Sequence, residues 1–134
     1  MAYTTETLSD QPVIITTYHG HIAADELLAS QQKIMEIIQE RGLQQIYAIQ
    51  DVQQATTSFA DVVTNIKAFN IARKNAEAID QTLTVLVFVG SNIFLNLITG
   101  LLGKKQYGDY RVVSFRQMDD ARQFIDLELA QQVE

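Results

Sequence analysis

Apolar and polar positions alternate between two periods along this chain, and the change of period marks its elements. The clearest stretch is Thr82–Val89, TLTVLVFV, uncharged and closed by Gly90. Such a run bounded by turn signals reads as a strand buried on both faces, which needs helices on each side of a sheet. Ala2–Leu8 and Val13–Tyr18 read as two further strands, joined by the turn Ser9-Asp10-Gln11-Pro12 into a hairpin. Gly20 is read as the break that ends the second strand.

From Leu27 the period becomes helical. Leu27, Leu28, Ile34, Met35 and Ile38 share one face, Asp25 and Glu26 suit the positive end of the helix, and Gly42 is its stop. Ile46–Val52 is a third strand with Asp51 near its C-terminal end, followed by the expected loop QQATTS. Ser58 with Asp61 fits the cap of a second helix, whose stripe is Phe59, Val62, Val63, Ile66 and Phe69. A third helix starts at Ser91 or Asn92 and ends at Gly103. Tyr110–Phe115 is the last strand. The last helix begins at Asp119 and Asp120, with Met118, Ala121, Phe124, Ile125 and Leu129 as its core face. The order β-β-α-β-α-β-α-β-α predicts one α/β domain over residues 1–134: a mixed four- to five-stranded sheet with an N-terminal hairpin and four helices.

Composition narrows the function. With 134 residues, 47% hydrophobic and 19% charged, the chain can bury a real core. It has no cysteine, which removes disulfides, thiolate metal sites and a cysteine nucleophile and fits a cytoplasmic location. The first ten residues lack the pattern of a secretory signal. A net charge of −6 argues against a nucleic-acid partner; Lys104, Lys105, Arg111 and Arg116 are read as decoration of a helix end and a strand. Thr82–Leu102 approaches the length of a membrane span, but Gly90, Asn92, Asn96 and Gly100 interrupt it, so strand-turn-helix is the reading.

Candidate chemistry is sparse. The chain carries no dinucleotide fingerprint, phosphate-binding loop, nucleophile elbow or zincin motif, so no catalytic residue and no cofactor is assigned, and the protein is read as a non-enzyme. His19 and His21 would need a third ligand to hold a metal, and they are read as locally hydrogen-bonded. Asp51 stands where open α/β sheets place ligands. Thr56, Thr57 and Ser58 follow close to a helix start, which favours an added phosphate, although Ser58 also serves as a plain cap. The third helix is apolar over more than half its circumference. Phe94, Leu95, Ile98 and Leu102 there are either covered by the chain itself or meet a second copy, a lipid or another apolar ligand.

The element order, with YHGHI before DELL, IYAIQDV ending near Asp51, TLTVLVFVG, and VVSFRQMDDARQFI at the end, resembles STAS domains. These have the fold of bacterial anti-sigma factor antagonists and of the wider SpoIIAA-like group. The resemblance implies a non-enzymatic regulatory or protein-interaction module with a protein partner. It also implies that Asp51 matches the Asp preceding the phosphorylated Ser or Thr of the antagonists. Where those proteins carry a Ser/Thr-Gly sequence, this chain has VQQATTS. The alternative it leaves open is a binder of a lipid or other apolar ligand through the third helix.

Overall fold

The computed structural model describes residues 3–56, 64, 67, 83–90 and 111–132. Five strands lie side by side in sequence order: β1 (Tyr3–Thr7), β2 (Val13–His21), β3 (Gln45–Thr56), β4 (Leu83–Val89) and β5 (Arg111–Phe115). β1 pairs antiparallel with β2, giving the expected hairpin, and β2 to β5 run parallel. Helix α1 (Ala24–Arg41) crosses from β2 to β3, and helix α2 (Met118–Gln132) follows β5.

The sheet is therefore α/β and mixed, as expected, with five strands. Among the described residues there are two helices, not four. The segments read as the second and third helices lie outside the described residues, apart from Thr64 and Lys67, which have helical backbone.

β4 lies between β3 and β5, and Val85, Leu86, Val87, Phe88 and Val89 are all buried. Their alternation splits them between the faces. Val85, Val87 and Val89 join Val13, Ile15, Tyr47 and Ile49 in one apolar layer, closed by Ala121 and Ile125 of α2. Met118, Phe124 and Leu129 flank that contact, so the whole predicted face of the last helix packs on the sheet. On the opposite face, Ile34, Ile37 and Ile38 of α1 pack on Ile14 and Ile46. α1 ends as its sequence dictates: Gly42 adopts the left-handed conformation (φ 60°), and the Leu43 N–H reaches back to the Ile38 carbonyl.

Two boundaries differ from the sequence reading. Gly20 does not end β2. It takes φ 66° inside the strand, and the ladder continues to His21. QQAT is not a loop but the end of β3, with His19, Gly20 and His21 opposite Gln54, Ala55 and Thr56. Each extension gives the other's backbone its hydrogen-bond partners, and neither segment advertises this alone.

Candidate interaction site

The site is the C-terminal end of β2 and β3, which runs past the end of β4. Its geometry follows from one irregularity in the ladder. Thr17 pairs with Asp51, but the next pair is His19 with Gln54. Two steps on β2 thus face three on β3, as in a β-bulge. Paired residues in a ladder point to the same side. Asp51 follows Tyr47 and Ile49 on the α2 face. The extra residue keeps Gln54 and Thr56 on that same face, opposite His19 and His21.

The side chains fix this turn of geometry. Asp51 Oδ1 accepts the Gln53 N–H at 3.0 Å, covering a backbone donor at the irregularity. Gln53 Nε2 donates to the Arg116 carbonyl at 3.2 Å, tying the end of β3 to the turn before α2. His19 Nδ1 lies 2.9 Å from Gln54 Oε1, across the ladder. His19, His21, Gln53, Gln54, Thr56 and Arg116 are exposed, and Asp51 is half-buried. The result is a polar, hydrogen-bonding surface of side chains with fixed backbone beneath them. Such a surface can recognise another macromolecule.

Of the residues singled out in the sequence, Asp51 and Thr56 meet here, together with the two histidines. His19 is not bonded locally as expected: it stands inside β2, and its partner Gln54 lies 35 residues on, across the ladder in β3. Among the described residues no cluster of three or more His, Asp or Glu side chains is arranged to hold a metal. Thr57, Ser58, Phe94, Leu95, Ile98 and Leu102 lie outside the described residues. No helix among the described residues is long and apolar enough to cross a membrane.

The sequence reading missed a second polar group, buried beneath the first half of α1. The Tyr18 hydroxyl donates to Gln50 Oε1 at 2.8 Å and lies 2.9 Å from Ser30 Oγ. Ser30 also donates to the Leu27 carbonyl at 2.7 Å, and Gln31 Nε2 reaches the Tyr18 hydroxyl at 3.3 Å. Burial pushes the Tyr18 hydroxyl up to about 12, outweighing its hydrogen bonds to Ser30 and Gln31. Tyr47, on the other face, is also raised, by burial first and then by the Glu128 carboxylate.

Solved structures share this architecture. A protein of the DUF3478 family from Shewanella loihica, described as having a SpoIIAA-like fold, superposes with a TM-score of 0.61 at 12% identity, over 92% of each chain. The anti-sigma factor antagonist SpoIIAA in its unphosphorylated form gives a TM-score of 0.57 at 9% identity, over 90% of this chain and 94% of that one. This chain has the SpoIIAA-like fold. An anti-sigma factor antagonist from Mycobacterium paratuberculosis gives a TM-score of 0.53 at 15% identity, over 92% of each chain. Models of known families and curated proteins give no match to the sequence. The SpoIIAA-like fold thus supports the expected resemblance at the level of architecture, across nearly the whole chain.

Proposed function

We propose that this protein is a non-catalytic regulatory module that acts by binding another protein through the end of β2 and β3. The observation that carries the reading is the common face of Asp51, Thr56, His19, His21 and Gln54. The register shift brings these residues together, and the Asp51 and Gln53 contacts hold them. Two of the structural neighbours are described as anti-sigma factor antagonists, which act on protein targets as their name states. A cytoplasmic location goes with this reading.

The polar character of the surface favours a protein partner with complementary hydrogen-bonding groups. The paired backbone and the His19–Gln54 and Gln53–Arg116 hydrogen bonds already restrain these side chains, which lowers the cost of association. The test is affinity capture with the intact chain, run in parallel with a Gln54→Arg variant and with Glu36→Lys on the exposed side of α1. A protein retained by the parent and by Glu36→Lys, but lost with Gln54→Arg, supports the site. A partner retained equally by all three, or no partner under any growth condition, overturns it. Intact-mass analysis of the same preparations shows whether phosphate is carried, and peptide mapping assigns it among Thr56, Thr57 and Ser58. Vesicle flotation with those preparations tests lipid binding.

A further inference from the structure

The two halves of α1 are held to the sheet by different chemistry. The later half rests on isoleucines: Ile34, Ile37 and Ile38 against Ile14 and Ile46. The earlier half rests largely on polar groups, through Ser30 and Gln31 above Tyr18 and Gln50. The reach of Gln31 is long: 3.3 Å to Tyr18, 3.4 Å to Gln50 and 3.5 Å to Ser30. Hydrogen bonds at that length are weak.

The sheet beneath is incompletely paired. Thr16 and Gln50 are 0% and 2% exposed, yet Thr16 Oγ1 and Gln50 Nε2 have no hydrogen-bond partner among the described residues. The same is true of Thr5 Oγ1. Register places the three in one row: Thr5 opposite Thr16, and Thr16 opposite Gln50. All three share the α1 face with Tyr18. A buried polar group without a partner has given up its hydration for nothing, so exposure to water relieves it. Isoleucines on the same helix gain nothing from exposure. The start of α1 is also lightly anchored, since Ala23 supplies no side-chain cap.

We propose that the N-terminal half of α1, residues 24–32, is a hinged segment that lifts from the sheet while the C-terminal half stays docked. Lifting uncovers the row Thr5–Thr16–Gln50 and hydrates it. The movement is a local opening, distinct from global unfolding.

Hydrogen exchange on the intact chain, followed residue by residue by NMR, tests this. Amides of Leu28–Gln31 exchange at least about ten-fold faster than those of Ile37–Gln39. Fraying of a helix end would give a similar gradient, so the deciding arm is Thr5→Val with Thr16→Val. That pair removes two unpartnered hydroxyls and leaves the Tyr18, Ser30, Gln31 and Gln50 contacts intact. It slows exchange at Leu28–Gln31 by roughly five- to ten-fold and narrows the gap to Ile37–Gln39. Thr16→Val alone gives the same direction with a smaller change, and serves if the double variant does not fold. Equal protection of the two halves in the parent overturns the proposal. So does a gap that the valine variants leave unchanged.

Discussion

The two faces of the sheet are made from the same strands and are closed in opposite ways. Under α2, the contact is apolar from Val13 to Val89, and Ala121 and Ile125 seat directly on it. Under α1, isoleucines at one end give way to Thr16, Tyr18, Ser30, Gln31 and Gln50 at the other. An apolar contact tolerates small displacements, because dispersion and water exclusion have little direction. A hydrogen-bonded contact has direction, and it is costly where a group goes unpaired. One face therefore supplies adhesion, and the other sets position with less net stability.

The largest effect expected from this contrast is on the α2 face. Ile49→Ala, at a residue with no exposed surface, costs about 3 kcal/mol in chemical denaturation. A loss under about 1 kcal/mol would show that this layer collapses around the gap and is not the adhesive one.

High pH comes next; it acts on both faces, since Tyr47 is raised as well, and substitution of Tyr18 isolates the α1 side. Tyr18 has its hydroxyl raised from 10.0 to about 12 in the folded chain. Below pH 10 it is neutral folded and unfolded, so its contribution is fully present. Between pH 10 and 12 the unfolded chain ionises first. Stability then falls by roughly 2–3 kcal/mol, complete once pH passes the folded value. Denaturation curves at several alkaline pH values should show that fall, and Tyr18→Phe should remove its part of it.

At neutral pH, Tyr18→Phe costs about 1–2 kcal/mol, because Gln50 Oε1 and Gln31 Nε2 lose the hydroxyl between them. Unchanged stability would mean that the polar face holds its position through Ser30 and packing alone. The smallest effect is at the surface of the α2 side. Arg111 pairs with Glu128 at 2.6 Å and sits 5.8 Å from the Phe124 ring centroid, but it is about half exposed. Arg111→Ala costs under about 1 kcal/mol, and raised salt shrinks that further.

The apolar half of this contrast was legible in the sequence. LTVLVFV, the stripe of the last helix and the stop at Gly42 carry period and punctuation that tertiary structure then used. The polar half was not, because burial of Ser30, Gln31 and Gln50 contradicts their usual placement. One signal was available. Leu27, Ser30, Gln31, Ile34 and Ile38 follow helical spacing on one face, so the gap between Leu27 and Ile34 on a buried stripe pointed to polar residues inside. At the candidate site, Asp51 was legible from its place near a strand end. Its union with His19 and His21 was not, because it depends on cross-strand register, which no local pattern encodes.

The irregularity between Thr17 and His19 also makes this corner of the molecule adjustable in a way the core is not. A regular strand's side chains change sides with every residue gained or lost, but here the ladder already absorbs one extra residue. Deleting Gln53 would return β3 to plain alternation, with Gln54 and Thr56 still on the face of Asp51 and still opposite His19 and His21. Ile46–Gln50 would stay seated. Evolution could thus take a codon out of this corner without turning its surface over.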